Sequence, residues 1–407
     1  MLRVSAEGMA VALVLTVQAR TGNAAQAGFL QTAVTLPYVL SGPVIGHVLD
    51  RTARPRRVAV GLALGYAAAT ALLMAVAGRT PLLLALAVAV VVGCAEPIVV
   101  GITGLLPRFV PADRLSRAYG LESASYDIAG IAGPGLAAFL ATTAGGGYAG
   151  AAIVASAVLG LLTLPLLPLK GPAADPPGPS GDPQSRPSAD PPEASRRGML
   201  DALTGGLPVL AGNRVLRALT ATTTLAWMGW GGIPVTAVLL AQDLGAAPDW
   251  GGRLLVAMAL GALAGSLAAA RLLTARHAET VMLLGLLGLA LALAALAFAP
   301  SPGWAAAGFA VAGFLEGPVF AATLILRQRE SPADRLGQVN TTAGSLKIGG
   351  SAIGAALTGA LAGTFGADGM LLAIAGVQAV AVPLGWLMLR PGTRARAAEP
   401  SGRSPAR

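Results

Sequence analysis

The sequence is short of charged residues, since Asp, Glu, Lys and Arg make up only 12% of its 407 residues. Soluble domains contain about 25% of these residues, so the composition argues against a soluble globular protein. The single cysteine, Cys94, excludes an internal disulfide, and the two histidines, His47 and His277, form no cluster in the sequence. The sequence therefore predicts no metal site.

Signatures of nucleotide hydrolysis and of catalysis are missing as well. The sequence has no Gly-x-x-x-x-Gly-Lys-Ser/Thr loop, no His-Glu-x-x-His and no Gly-x-Ser-x-Gly. These patterns mark ATP binding, zinc peptidases and serine hydrolases. We therefore expect no ATP-driven step within this chain, no enzyme activity and no bound cofactor.

Apolar residues are abundant, because hydrophobic types make up 55% of the chain and the mean hydropathy is +0.69. Arg outnumbers Lys 26 to 2, so the sequence pI of about 10.7 reflects codon usage rather than a nucleic-acid partner. A helix needs roughly 20 apolar residues to cross a bilayer. Twelve segments qualify: 4–20, 27–49, 58–78, 82–106, 118–141, 148–168, 216–241, 252–273, 280–299, 304–326, 338–363 and 369–389.

The chain repeats itself at half its length. Residues 111–115 and 332–336 both read Pro-Ala-Asp-Arg-Leu, and the match extends to two glycine pairs, Gly93 with Gly313 and Gly133 with Gly354. Glu96 matches Glu316 in the same alignment. Half-length repeats are typical of transporters with two similar bundles and a substrate site between them. We expect an all-α integral membrane fold, with twelve transmembrane helices in two pseudo-symmetric six-helix bundles.

The region between the sixth and seventh segments divides the chain. Residues 170–198 contain eight prolines. A segment of this composition cannot form a buried core, so the sequence predicts a disordered linker here. We therefore expect an N-terminal bundle over 1–169, a C-terminal bundle over 199–391 and a basic tail over 392–407.

The distribution of basic residues predicts orientation. Loops after even-numbered segments, with the linker and the tail, carry 23 Lys and Arg residues, including Arg327, Arg329 and Arg335. The opposite side carries three: Arg20, Arg79 and Arg253. By the positive-inside rule, both termini and the linker are expected in the cytoplasm, with the protein in the cell's inner (plasma) membrane.

A loop motif follows the second segment. Residues 46–57 read Gly-His-Val-Leu-Asp-Arg-Thr-Ala-Arg-Pro-Arg-Arg, which resembles the Gly-x-x-x-Asp-Arg-x-x-Arg-Arg loop of the major facilitator superfamily. The resemblance, with twelve spans and a half-length repeat, covers nearly the whole chain. It implies a cytoplasmic gate in which Gly46 allows close packing and charged residues hold the halves together. The gate residues would be Asp50, Arg51, Arg54 and Arg57. The alternative is a simple positively charged anchor.

The fifth segment contains Gly130, Gly133 and Pro134, and this stretch is similar to the Gly-Pro antiporter motif of the family's exporters. The fuller motif has Gly-Gly where this chain has Ala137 and Ala138, so the copy is degenerate. Small residues allow helices to approach closely, and ordinary packing is the alternative interpretation.

Four charged residues lie deep in the predicted membrane segments: Glu96, Asp127, Glu316 and Lys347. Such charges are costly and usually line a cavity or a proton path. Glu96 and Glu316 are candidates for reversible protonation, or alternatively for helix-to-helix hydrogen bonds. For Lys347, an ion pair with Glu316 or Asp127 and a counter-charge for an acidic substrate both remain open.

Four aromatic residues are candidates for an apolar substrate pocket: Tyr38, Tyr126, Trp227 and Trp230. Packing or interfacial anchoring is the alternative. Glu7, Glu122 and Arg20 lie nearer helix ends, where snorkelling to water accounts for them.

The resemblance implies a twelve-helix exporter that exchanges protons for a small drug-like molecule or secondary metabolite, with the proton gradient as its energy source. It would contribute to efflux or multidrug resistance. We expect a monomer whose partners are a small-molecule substrate and the lipid bilayer, without nucleic acid. Two alternatives remain: a proton-coupled uptake permease for a sugar or other metabolite, and a non-transporting scaffold or sensor.

Overall fold

The computed structural model describes residues 1–22, 24–166, 198, 200–247 and 250–390. All of the predicted tail and, apart from residue 198, all of the predicted linker lie outside these residues. The boundaries predicted for the two bundles therefore stay predictions.

Within the described residues, the regular structure is helical. The helices are α1 (Leu2–Thr21), α2 (Ala24–Arg51), α3 (Pro55–Val76), α4 (Leu82–Ala95), α5 (Ile98–Gly101), α6 (Leu115–Thr143), α7 (Gly146–Thr163), α8 (Gly206–Gly212), α9 (Arg214–Trp230), α10 (Ile233–Asp243), α11 (Trp250–Leu272), α12 (Ala278–Leu296), α13 (Pro302–Glu330) and α14 (Leu336–Leu389). Short 3₁₀ turns cover Ile102–Arg108, Ala112–Arg114, Leu164–Leu166 and Ala275–His277.

The twelve predicted membrane segments are confirmed. Eleven helical stretches of the described chain are long and apolar enough to cross a bilayer, and the last of them, α14, contains two crossings. It breaks at Gly366, whose φ of 66° and ψ of −175° leave the helical region. A positive φ is readily adopted only by glycine, so this residue ends one membrane crossing and starts the next.

Two crossings are interrupted near their middle. α4 ends at Ala95 and α5 begins at Ile98, so the helix breaks around Glu96 and Pro97. α9 and α10 are separated by a pair of glycines at 231 and 232. The matching position in the second half differs, because α13 runs without a break through Pro318. The helix therefore breaks beside Glu96 and not beside Glu316, although a proline follows each of them closely.

The glycine pairs of the sequence repeat correspond to a repeat in helix packing. Gly93 lies against the backbone of α2, and Gly313 lies against the backbone of α11 in the same way. Gly133 packs on the backbone of α1, and Gly354 on that of α9. A Cβ atom at any of the four would overlap a neighbouring main chain. These contacts let the helix backbones approach closely. Close packing then holds the helices together in lipid, where no hydrophobic driving force acts between them.

The helices pack into an N-terminal and a C-terminal set. α1 packs on α6 and α7, and α2 on α4, while α11 packs on α13 and α9 on α14. The two sets meet where α2 contacts α14 and where α6 contacts α11 and α13. Large apolar side chains such as Leu83, at 82% exposed, and Phe139, at 62% exposed, face outward, as lipid-facing residues do. The chain is a multi-pass membrane protein.

Candidate functional site

A cavity of about 450 Å³ lies between the two sets of helices, within the range typical of small-molecule sites. Eight of its lining residues come from α1, α2 and the broken α4–α5 crossing, one comes from the 3₁₀ turn after α5, and the others come from α6, α9, α13 and α14. The lining is Ala6, Glu7, Ala10, Gln31, Tyr38, Glu96, Val99, Val100, Thr103, Tyr126, Trp227, Trp230, Phe320, Leu324, Arg327, Asn340, Gly344, Lys347 and Ile348.

The four aromatic residues singled out from the sequence all line this cavity. Tyr38 and Tyr126 belong to the N-terminal set, and Trp227 and Trp230 belong to the C-terminal set. Tyr126 meets Phe320 edge to face across the two sets, with ring centroids 5.3 Å apart and an interplanar angle of 83°. The cavity lining therefore includes five aromatic side chains, contributed by both sets of helices.

The acidic residues take different positions. Glu96 lines the cavity together with Glu7 of α1, and the structure gives neither carboxylate an ion pair among the described residues. Asp127 is outside the cavity lining and lies beside Ser266 where α6 meets α11. One of its oxygens, Oδ2, is buried without a hydrogen-bond partner in the described structure.

Glu316 is separated from the cavity, although it matches Glu96 in the repeat. It borders a small space of about 20 Å³ that also touches Gln378, room for a single water molecule. Trp227, Trp230 and Phe320 line both spaces, so these rings form the partition between Glu316 and the cavity. The two halves have thus diverged at this position.

Lys347 makes no ion pair with Glu316 or Asp127, so that expectation is wrong. Among the described residues, no carboxylate oxygen lies within 4.0 Å of its ammonium group. Its Nζ atom instead lies 4.3 Å from the ring centroid of Trp227 and 4.7 Å from that of Phe320. The side chain is 6% exposed and lines the cavity. Glu316 acts on the ammonium group only as a more distant charge.

Arg327 is not a loop anchor, so its assignment to a cytoplasmic loop is wrong. α13 continues to Glu330, beyond the predicted end at residue 326, and this keeps Arg327 in the helix. Arg327 is 2% exposed and lines the cavity. Its Nε and Nη2 atoms have no hydrogen-bond partner in the part of the chain that the structure describes. The spacing of Glu316, Phe320, Leu324 and Arg327 could have revealed this inward face.

An ion pair near the cavity was also missed. Arg3 of α1 pairs with Glu122 of α6 and donates a hydrogen bond to Thr103 at 3.2 Å. Its guanidinium lies 4.0 Å from the ring centroid of Tyr126. Snorkelling therefore does not describe Glu122, and Glu7 is likewise turned to the cavity. Hydropathy alone gave no signal for either contact.

The Asp50 carboxylate links the two sets of helices. It accepts hydrogen bonds from the backbone N–H groups of Gly337, at 2.8 Å, and Gln338, at 2.7 Å, at the start of α14. We call these three residues the Asp50 latch. A carboxylate there satisfies orphan donors and interacts favourably with the helix dipole. Gly46 packs directly on the backbone of Gly337, where a Cβ would overlap.

The basic residues of the loop motif behave differently from one another. Arg51 lies 3.4 Å from Asp201, which is also 3.6 Å from Arg335 and 3.7 Å from His47. Arg54 and Arg57 are exposed and make no ion pair among the described residues. Asp201 was not singled out in the sequence, because it follows the linker and belongs to no motif.

The residues of the antiporter-like motif are also not equivalent. Gly133 packs on α1, whereas a Cβ atom placed on Gly130 would meet no atom of a neighbouring element within 4 Å. Pro134 lies inside the continuous helix α6.

Contacts between the two sets concentrate at one end, which we call the arginine-rich end and which carries Arg51, Arg108 and Arg335. Hydrogen bonds between the sets join Asp50 to α14, Arg51 to Asp201, and Ser123 of α6 to Ser266 at 2.9 Å and to the backbone carbonyl of Gly317 at 3.4 Å. The Asp50 and Arg51 contacts lie at this end, and the Ser123 contacts lie farther along the helices. In the described residues, the two sets are therefore closed together at the arginine-rich end.

Comparison with known proteins agrees with this architecture. The sequence model described as Major Facilitator Superfamily matches residues 2–220 and again residues 219–406. An uncharacterized MFS-type transporter, y4rN, of Sinorhizobium fredii (strain NBRC 101917 / NGR234) is 27% identical over 399 residues, covering 94% of this chain and 92% of that protein.

Two solved structures share the fold. The human organic anion transporter MFSD10 (TETRAN) superposes with a TM-score of 0.70 at 16% identity, over 94% of this chain and 98% of that one. The E. coli fucose:proton symporter FucP superposes with a TM-score of 0.72 at 13% identity, over 96% and 97% of the two chains. With both halves matched, the chain belongs to the major facilitator superfamily of membrane transporters.

Proposed function

We propose that the protein is a proton-coupled secondary transporter that exports a small amphipathic molecule by alternating access. The observation that carries this proposal is the position of Glu96, an acidic residue without an ion pair on the wall of a membrane-embedded cavity. Carboxylates inside membrane segments typically serve ion or proton pathways. A buried carboxyl group can take up and release a proton near neutral pH.

Glu96 is the better candidate for the proton carrier than Glu316. Glu96 borders the same space as the substrate would, and Glu7 faces it from α1. It also lies at the break between α4 and α5, where the main chain is not held by a continuous helix. Glu316 and Asp127 lie behind the cavity wall, and we propose that they act as secondary relay groups.

Alternating access requires the closed end to open. The Asp50 latch consists of two hydrogen bonds to a charged acceptor, each worth about 1.5–3 kcal/mol, with Arg51 and Asp201 beside it. A membrane potential of 100 mV supplies about 2.3 kcal/mol for each charge moved. A contact of this size is therefore compatible with opening once in each transport cycle.

We also propose the orientation and organisation expected from the sequence. The arginine-rich end and both termini lie in the cytoplasm, in the plasma membrane, with a linker over 170–198 between bundles over 1–169 and 199–391. The protein works as a monomer without a cofactor, as a transporter rather than an enzyme. In this orientation the described conformation is closed toward the cytoplasm.

Export is favoured by the aromatic lining and by the resemblance of the motif around Pro134 to that of exporters.

Uptake is the second candidate, and a specific observation favours it. Nine polar or charged side chains line the cavity, more hydrogen-bonding groups than the segment hydropathies had indicated. FucP, which shares the fold, is a fucose:proton symporter.

Accumulation in cells tests the proposal. An efflux-deficient bacterium expressing this chain would be loaded with fluorescent dyes and antibiotics of different charge, with and without a protonophore. Reduced accumulation that the protonophore abolishes is expected for the wild type and for Asp113→Asn, a control whose side chain is 76% exposed. Glu96→Gln is expected to lose the effect.

Other outcomes would redirect the proposal. Increased, protonophore-sensitive accumulation of a labelled metabolite would favour uptake. A non-transporting scaffold or sensor would show no substrate-dependent flux in either direction, and its function would survive neutralisation of Glu96, Asp127, Glu316 and Lys347.

A further inference from the structure

We propose that Arg327, Asn340 and Lys347 form a binding site for the acidic group of an amphipathic organic anion. We call these three residues the cation wall. The ligand class is a flat apolar body that bears a carboxylate, sulfonate or phosphate. This inference rests on the proposed transport function, because it names the substrate class of the same cavity.

Arg327 is the first observation. Its guanidinium is 2% exposed, and two of its nitrogen atoms are buried without an acceptor in the described structure. A buried charge without a partner is costly. No carboxylate lies within 4.0 Å of it in the described part of the chain, whereas Arg3, which does not line the cavity, is paired with Glu122. The guanidinium fork suits a planar or tetrahedral oxyanion.

Lys347 and Asn340 extend the same wall. Both belong to α14 and line the cavity, at 6% and 3% exposed. Asn340 has a buried side-chain oxygen with no hydrogen-bond partner among the described residues. That oxygen is an acceptor, so the N–H groups of the same amide are the ones that would donate to an anion. Three buried polar side chains that make no ion pair among the described residues therefore face one space.

The positions of the charged residues around the cavity determine on which side the acidic group of the ligand binds. The cation wall belongs to the C-terminal set, and the cavity acids Glu7 and Glu96 belong to the N-terminal set. Glu316 is on the far side of the aromatic partition, so it reaches Lys347 only at longer range. Without a ligand, the positive charges of the cation wall face the cavity acids Glu7 and Glu96 only from across the cavity.

The aromatic residues suit the remainder of such a ligand. Trp227, Trp230, Phe320 and Tyr126 border the cavity beside the cation wall. Lys347 already lies over the Trp227 ring at 4.3 Å, so a bound anion would meet a positive group and a flat apolar surface together. The cavity of about 450 Å³ accommodates a ligand of two or three fused rings.

Binding to the purified full-length protein tests this directly. The probes are naphthoate, naphthalenesulfonate, naphthylmethylammonium and naphthylmethanol, which share an apolar body and differ in charge. Ligands that bind the native state raise the Tm. Naphthoate and naphthalenesulfonate are expected to raise the Tm in a concentration-dependent way, well beyond the neutral and cationic probes.

Substitutions assign the effect to the cation wall. Arg327→Gln and Lys347→Gln are each expected to weaken naphthoate binding about tenfold or more, as loss of a charged partner does. Arg271→Gln, an exposed arginine on α11, is the matched control and should bind as the wild type does. Arg327→Lys should retain part of the affinity.

The unliganded Tm distinguishes a binding role from a structural one. Removing a buried charge that lacks a partner should leave the unliganded Tm of Lys347→Gln unchanged or higher. A marked fall in that Tm, with naphthoate binding intact in the protein that remains folded, would overturn the proposal. Equal stabilisation by all four probes, or none by either anion, would overturn it as well.

The experiments distinguish a failure of the transport proposal from a failure of the anion-site proposal. Anion binding to detergent-purified protein needs no proton gradient, so selective stabilisation by naphthoate would stand even if accumulation in cells proved insensitive to a protonophore. Protonophore-sensitive transport of cations alone would support the transport proposal and contradict the anion site.

Discussion

The carboxylate of Asp50 accepts a hydrogen bond from the backbone N–H of Gly337, 2.8 Å away and 287 positions later in the chain. One side chain of the first half thereby caps the first helix turn of a crossing in the second half. This contact ties the movement of α2 to that of α14 at the end where the two halves meet.

Replacing Asp50 should slow transport more than it weakens substrate binding. Asp50→Ala removes the acceptor for two backbone N–H groups, a loss of about 3–6 kcal/mol for the closed conformation at about 1.5–3 kcal/mol for each bond. The measurement is the transport rate and the half-saturating concentration of a substrate found in the accumulation assay. A proportional loss of affinity with an unchanged maximal rate would contradict the role of Asp50 in the latch.

Gly46→Val should open the arginine-rich end. A side chain at this position overlaps the backbone of Gly337, whereas Gly61 of α3 has no atom within 4 Å and so makes Gly61→Val a matched control. The distance between spin labels at positions 54 and 335, in a chain with Cys94→Ser, should increase in Gly46→Val and not in the control. An unchanged distance distribution would show that the close Gly46 contact does not maintain closure.

Glu96 and Glu316 should behave differently, despite their equivalence in the repeat. Glu316 is behind Trp227 and Phe320, so Glu316→Gln should bind cavity ligands as the wild type does and retain part of its proton-dependent transport. Glu96→Gln should lose proton dependence altogether. If Glu316→Gln transported at the wild-type rate with full dependence on the pH gradient, Glu316 would have no part in the proton path.

The affinity for an organic anion should rise as the pH falls. The titratable and charged groups that face the cavity are Glu7, Glu96, Tyr38, Tyr126, Arg327 and Lys347, with Glu316 behind its wall. Protonation of the two facing acids removes their repulsion of a bound anion. By reciprocity, a bound anion then promotes protonation to the same extent. Naphthoate titrations across pH, in the wild type and in the double variant Glu7→Gln and Glu96→Gln, measure this coupling.

The sign of that coupling bears on the direction of transport. Tighter anion binding at low pH, the sign expected from Glu7 and Glu96, means that proton and anion favour each other's binding; this suits co-transport and would favour the second candidate, uptake. Competition between proton and substrate, with tighter binding at high pH, suits exchange and would favour export by antiport. A pH-independent affinity would contradict the placement of Glu7 and Glu96 within range of the ligand.

Much of the fold follows from the sequence because its signals are local. Apolar length gave the twelve crossings, and the repeat gave glycine pairs whose packing is the same in both halves. The resemblance of the motif around Asp50 implied a contact between the halves, and Asp50 accepts hydrogen bonds at the start of α14. Asn340, Gly344 and Lys347 have the spacing of one helix face, and all three line the cavity.

The remaining features of the site depend on how deeply each side chain is buried in the folded protein, which the spacing of residues along the chain does not encode. Arg327 follows the last apolar residue of its segment and precedes Arg329, so hydropathy assigned it to a loop. The helix in fact continues for another turn and turns this side chain inward. Glu316 was treated as the twin of Glu96, because an alignment cannot show that aromatic rings from another helix stand in front of one of them.

The most direct test of the central claim is proton flux in liposomes that contain the purified protein and an internal pH-sensitive dye. A substrate identified in the accumulation assay would be added on one side, and the internal pH would be followed for the wild type, Glu96→Gln and Asp113→Asn. The account predicts substrate-driven proton movement in the wild type and in Asp113→Asn, and none in Glu96→Gln. Undiminished proton movement in Glu96→Gln, or substrate flux without proton movement in the wild type, would contradict it.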